Sequence, residues 1–269
     1  MTRKSNKILY FAVAFIFARG VSVYADDSTL KGYSFCGTFD VSTVVSGNRL
    51  IVSDGSVLNL AMVKAPMIAR QGQNFSPWPL AQWVKAEMEK ILIGETLTLY
   101  CKGEEFDRFG ERWANVYLSD GRWLQQEMLS KGWAFVDGLT APSSAMDMLY
   151  QFEDIAQAKN LGVWGYESYK IRQADEPKSI MVGGFQTIRG QVQKIAITKK
   201  MTYVNFGATY QKDFTLEIAP KLTKQWTQEG FDFKALEGQT IDVRGWVDFK
   251  GGPRLVITHK NQIRLFTNP

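Results

Sequence analysis

The chain has 269 residues, 45% hydrophobic and 22% charged, a size and balance suited to one large or two ordinary soluble domains. Its formal charge of +5 includes Arg3, Lys4, Lys7 and Arg19; without those four, and with no acid among residues 1–25, the rest of the chain is about +1. Residues 33–168 hold 11 Lys and Arg against 16 Asp and Glu, a net of −5, whereas residues 177–269 hold 14 against 7, a net of +7. A domain that grips phosphates is usually basic, so the first segment has the wrong sign for a general nuclease and the second the right one.

Residues 1–25 read as a cleaved secretory signal: a basic start, the apolar run Ile8 to Ala18, and a Val23-Tyr24-Ala25 end. Eleven apolar residues reach only about half of a bilayer core, which argues against a membrane anchor. No transmembrane segment follows, so the expected location is periplasmic or secreted. Cys36 and Cys101 are the two cysteines. In an oxidising compartment they are a candidate disulfide, the alternative being two buried free thiols.

Beyond the signal, turn residues divide the chain into short β-type runs. Strands are expected at Tyr33 to Val45, Arg49 to Val52 and Ser56 to Val63, with turns at Ser46-Gly47-Asn48 and Ser53-Asp54-Gly55. A helix follows from about Trp78 to Ile91, with Leu80, Trp83, Val84, Met88 and Ile91 as its apolar face. Strands Thr96 to Cys101 and Arg112 to Leu118 come next, then a helix from Trp123 to Lys131 stopped by Gly132. A last helix opens at Ser143 and Ser144, carries Leu149, Phe152, Ile155 and Ala156, and closes at Gly162.

Residues 169–179 read as a linker around Pro177. After it the order repeats: strands Gly190 to Ile197, Met201 to Phe206 and Asp213 to Ile218, a helix Leu222 to Glu229, then strands Thr240 to Val247 and Arg254 to Ile257. Three strands, a helix and two strands is the order of a five-stranded OB barrel. The expected architecture is therefore mainly β with helices: tandem OB folds over 33–168 and 180–269. In such a barrel the first strand and the strand after the helix are neighbours, which would put Cys36 beside Cys101.

Several stretches of the first domain resemble the thermonuclease (staphylococcal nuclease-like) family. They are the Gly47 turn, Leu58-Asn59-Leu60-Ala61-Met62-Val63-Lys64-Ala65-Pro66, Asp107-Arg108-Phe109-Gly110 with Ala114, Asp120-Gly121, Leu129-x-x-Gly132-x-Ala134, and Leu161-Gly162-Val163-Trp164. Tyr203-Val204-Asn205-Phe206-Gly207 and Val243-Arg244-Gly245-Trp246 resemble the C-terminal extension of a bacterial subgroup of that family.

The resemblance implies phosphodiester hydrolysis with one calcium ion, held by two aspartates and a backbone carbonyl, with a glutamate handling the water and two arginines neutralising the phosphate. Position by position those residues are missing. The two metal aspartates fall on Asn48 and Lys64, the glutamate on Met67, and the arginines on Asn59 and Glu111. Arg112 is adjacent, but on a strand it faces the opposite way to Glu111. The expectation is no catalytic residue, no metal site and no cofactor. A retained anion site at Arg49, Lys64 and Arg112, or an internal carboxylate such as Glu111 beside Lys64, is the sharper alternative.

Other chemistry has little material: His259 is the single histidine, too few with two cysteines for a zinc set, and Gly251-Gly252-Pro253 reads as a turn. Three functions follow. The first is a non-catalytic binding or scaffolding module with an unidentified protein or polyanion partner. The second is a calcium-dependent nuclease with a relocated site. The third is a binder of single-stranded nucleic acid or polyanion, through Tyr203, Phe206, Tyr210, Phe214 and Trp246 beside Lys199, Lys200, Lys212 and Arg244.

Overall fold

The computed structural model describes residues 30, 32–69, 77–104, 106–208 and 212–266. The signal sequence read at 1–25 and the candidate stacking residue Tyr210 lie outside the described residues.

The chain enters on β1 (Tyr33–Ser46), long enough to pair with two partners in succession. Its first half runs antiparallel to β5 (Thr96–Lys102) and its second half to β2 (Arg49–Val52). A register shift between Phe35 and Gly37 bends it. Gly37 has φ 131°, and a Cβ there would stand 2.6 Å from the Phe39 ring, so the bend requires glycine. β3 (Val57–Leu60) pairs with β2 and, in parallel, with β6 (Glu111–Tyr117), which returns to β5 and closes the five-stranded barrel. Alternate side chains such as Leu50, Leu58, Leu60, Leu97, Leu99 and Val116 fill it.

The short β4 (Val63–Lys64) leaves the barrel and pairs with β7 (Phe135–Val136). Helices α1 (Ala81–Leu92), α2 (Leu124–Ser130) and α3 (Met146–Ala158) pack around the barrel. Two apolar faces differ from the sequence reading. In α1 the buried residues are Ala81, Val84, Met88 and Leu92, which share one helical face, and Trp83 lies off that face and is exposed; Leu80, with a left-handed φ of 63°, precedes the helix. In α3 the buried set is Met146, Leu149, Tyr150, Glu153 and Ala156, and Ile155 is exposed.

The second sheet has eight strands. β8 (Arg172–Gln173) lies parallel to β9 (Phe185–Gln191). The run expected as one strand from Gly190 is two: β9, and β10 (Lys194–Ile197). The chain changes partner at Val192 and Gln193, whose amides donate to Gln239 and Asn205 carbonyls on different neighbours. β10 pairs with β11 (Thr202–Asn205), β11 with β12 (Thr215–Ile218), and β12 in parallel with β14 (Pro253–Ile257). β13 (Thr240–Phe249) links β14 to β9, and β15 (Ile263–Leu265) adds to its edge. With β9 and β10 counted as halves of one bent strand, the order is that of the first barrel, including its parallel pair. Helix α4 (Pro220–Gln228) follows β12, and its Trp226 is buried in the second core.

The two halves are packed together. Tyr169 is buried in an aromatic cluster with Phe135 and Trp164 from the first half and Phe185 from the second, while Ala174 lies in the second core. A Cβ on Gly138 would stand 2.5 Å from the Asn261 carbonyl oxygen, so the backbones touch there. Arg244 and Arg264 of the second half reach back to Glu153 and Asp154 on α3.

Candidate functional site

The turn after β1 carries Asn48 and Arg49 to the mouth of the first barrel, where β3 presents Asn59 and β6 begins with Glu111. Arg49 lies opposite Asn59 across the β2–β3 pairing. Its guanidinium donates from both terminal nitrogens to the two oxygens of Glu111, at 2.6 and 2.5 Å, and more weakly to Asn59 Oδ1 at 3.3 Å. Asn59 Nδ2 donates to Glu111 Oε2 at 2.7 Å. The Arg49 and Glu111 side chains are 13% and 19% exposed, so this forked pair is largely shielded from water. The two positions that the sequence reading assigned to the phosphate arginines, Asn59 and Glu111, hold an amide and a carboxylate bonded to each other and to Arg49. The cluster balances its own charge.

Of the other expected positions, Asn48 adjoins this cluster, and Lys64 and Arg112 do not join it. Lys64, on β4, lines a cavity of about 260 Å³ between the two halves, together with Asp137, Phe185, Arg244 and Trp246. The carboxylate that faces Lys64 is Asp137; Glu111 turns its oxygens to Arg49 and Asn59. Met67 is partly buried and uses its carbonyl to accept the Trp78 amide. Asn48 accepts the Leu60 amide through its carbonyl. Arg112 is buried on the other side of β6, where it donates to Asp54 and Ser56 and lies between the Phe39 and Phe106 rings, 4.6 and 4.3 Å from their centroids. The Ser56 hydroxyl first, then the Ser56 amide and Arg112, pull the Asp54 carboxyl down to about 2. Arg112 thus fastens the β2–β3 turn. A calcium ion needs several hard oxygen ligands at one point. The positions that the sequence reading assigned to the metal ligands and the base hold an amide at Asn48, an ammonium at Lys64 and a thioether at Met67, and the Glu111 carboxylate is bound to Arg49. Among the described residues no three His, Cys, Asp or Glu side chains form a metal-binding group.

Asp137 is held above the usual carboxylate range, chiefly by burial, against the lowering pull of the Leu139 amide, Lys64 and Arg244. A carboxyl that keeps its proton more firmly folded than unfolded gains stability as pH falls from above its folded pKa toward the ordinary 3.8. Asp137→Asn should therefore be more stable than the parent at neutral pH and lose this advantage on acidification. Melting temperatures of the two proteins between neutral pH and about pH 4 check it, and parallel curves would contradict it.

Among the described residues the aromatic face expected on the second half does not assemble. Phe206 and Phe214 are core residues, their rings 5.4 Å apart. Trp246 packs at the junction, 5.4 Å from Trp78. Arg244 is buried against Glu153. Tyr203, Lys199, Lys200 and Lys212 stay at or near the surface. His259 caps a short turn, its Nδ1 accepting the Asn261 amide, and burial lowers its pKa.

Cys36 and Cys101 are joined in a disulfide between β1 and β5. Glu153 and Asp137 were absent from the sequence reading of any site, and Arg244 was read there as part of a basic face on the second half rather than as a junction residue. Their one sequence signal was a glutamate at 153 placed between Leu149 and Ala156 on an apolar face.

Residues 57–166 match the family described as staphylococcal nuclease homologue. The first domain is thus a thermonuclease-like OB barrel, followed by a second, barrel-like sheet. No curated protein matches the chain.

Proposed function

We propose that this is an exported protein in which a thermonuclease-like domain, residues 33–168, has become a non-catalytic binding or scaffolding module joined to a second OB-like domain, residues 180–269. The observation that carries this reading is the Arg49–Glu111–Asn59 cluster. Catalysis of phosphodiester hydrolysis needs fixed positive charge aimed at the developing phosphorane and a base for the water. Here the cation nearest the site is committed to a carboxylate in a bidentate pair, and the position of the base holds Met67. Loss of one such group costs about 10²–10⁴ in rate, so loss of the whole set removes the reaction. Export is supported by the leader-like residues 1–25 and by the disulfide, which persists in oxidising compartments. Among the described residues no helix is long and apolar enough to cross a membrane.

Calcium titration tests the metal half of this reading. The chain from residue 26 should show no saturable heat and no rise in melting temperature with calcium up to about 1 mM, a concentration at which sites with Kd of about 10⁻⁵ M or tighter would be filled. A calcium-dependent rise of several degrees would contradict it.

A further inference from the structure

A second cleft, of about 810 Å³, lies on the second half of the chain and is unrelated to the thermonuclease-type pocket. Its floor is the outward face of four strands. Register aligns Ala196, Tyr203 and Glu217 in one row across β10, β11 and β12, and Lys194, Asn205, Thr215 and Arg254 in the next row, which extends to β14. The residues between them, Ile195, Val204, Leu216 and Leu255, point into the core. The walls come from Phe206 to Ala208, Asp213, Lys250, Gly252 and Pro253. Thr215 and Glu217 are only 8% and 7% exposed although they face away from the core. A carboxylate that well buried on an outer sheet face marks a built concavity.

The chemistry of the floor is specific. Arg254 donates to Glu217 Oε2 at 2.5 Å and to Asp248 Oδ2 at 2.7 Å, which fixes both the guanidinium and the Glu217 carboxylate. Thr215 Oγ1 donates to Asn205 Oδ1 at 3.3 Å and holds that amide in place. Tyr203 supplies a partly exposed ring beside these planar polar groups. Despite the +7 of residues 177–269, the cleft itself is close to neutral: Lys194, Lys250 and Arg254 stand against Asp213 and Glu217, and Arg254 is committed to two carboxylates. A polyanion site would need uncommitted cations along a track. A cleft of this size, with one ring to stack on and several oriented hydrogen-bonding groups, suits a polar, uncharged chain. The strand-2 and strand-3 face of an OB barrel, with its neighbouring loops, is a surface that receives oligosaccharides as well as oligonucleotides.

We propose that this cleft binds a neutral oligosaccharide, stacked on Tyr203 and hydrogen-bonded by Asn205, Glu217 and Arg254. The inference stands whether or not the first domain is catalytic.

Calorimetry on the chain from residue 26, with chitohexaose, cellohexaose and maltohexaose, is the test, with a heparin hexasaccharide and an oligo-dT strand as charged comparators. At least one neutral hexasaccharide should bind with a Kd of about 1 mM or tighter. Its affinity should be almost independent of salt, whereas phosphate-driven binding falls by about 10³–10⁵ between low and moderate salt. Tyr203→Ala and, separately, Asn205→Ala should each weaken it by about tenfold, equivalent to about 1.4 kcal/mol. Both variants should keep the parent melting temperature, since neither side chain lies in the core. Failure of all three neutral sugars to bind would overturn the proposal. So would salt-sensitive binding of oligo-dT or heparin in their place, or neutral-sugar binding that survives both substitutions in folded protein.

Discussion

Arg244→Met is expected to destabilise the protein by about 3–5 kcal/mol, because it strands a carboxylate in the junction between the two halves. Arg244 and Glu153 form two parallel hydrogen bonds at 2.8 and 2.9 Å, with side chains only 5% and 2% exposed. Burial disfavours the guanidinium charge, and Glu153 beside it more than offsets that. Arg244 also donates to the Val136 carbonyl, and Glu153 accepts the Val136 amide at 2.7 Å, so the pair is stitched to β7 as well. For a chain of this size the loss corresponds to about 2–4 °C of melting temperature per kcal/mol. Arg244→Met with Glu153→Gln should recover most of it, since the glutamine carbonyl still accepts the Val136 amide and no charge is buried. A calorimetric melt of the parent, the two single variants and the double variant checks the cycle. If Arg244→Met melts with the parent, the junction is not held by this pair.

Replacing Cys36 and Cys101 together by alanine should cost about 2–5 kcal/mol. The bridge joins residues 65 apart, so most of the barrel's strands and α1 lie inside the loop it closes. In the chain-entropy account a loop of that length stabilises by about 4 kcal/mol, acting on the unfolded state. The native barrel should remain, because β1 and β5 are also held by a ladder from Tyr33 to Asp40. Urea unfolding of the oxidised, reduced and double-alanine proteins checks this. Equal midpoints for all three would show that the bridge contributes nothing, and no thiol released by reductant would show that it is absent.

The barrels were legible because their signals are local. Turn residues at Ser46-Gly47-Asn48 and Ser53-Asp54-Gly55 sit between runs of period two, and the same order of runs recurs after residue 180. The neighbouring of Cys36 and Cys101 followed from strand order alone. The Arg49–Glu111 pair was partly legible: the sign reversal at Glu111 stood out, but the one partner considered for it, as an alternative, was Lys64. The register that sets Arg49 opposite Asn59 and runs β3 beside β6 decides otherwise. The α3 face was read without Glu153 for a plain reason: a buried glutamate makes sense only once Arg244, 91 residues later, is known to meet it. The same long-range contact took Arg244 from the expected basic face of the second barrel. The sequence pattern of Phe206 and Phe214 could not say which side of the sheet each ring takes.

Hydrolysis shows whether the first barrel's pocket cuts nucleic acid. Single- and double-stranded DNA and RNA should be incubated with the chain from residue 26, in calcium and in chelator, beside an active thermonuclease as the positive control. No cleavage above the buffer blank is expected in either condition. Calcium-dependent cleavage that disappears in chelator would contradict it and would mean that catalytic groups other than those at positions 48, 59, 64, 67 and 111 serve the first barrel.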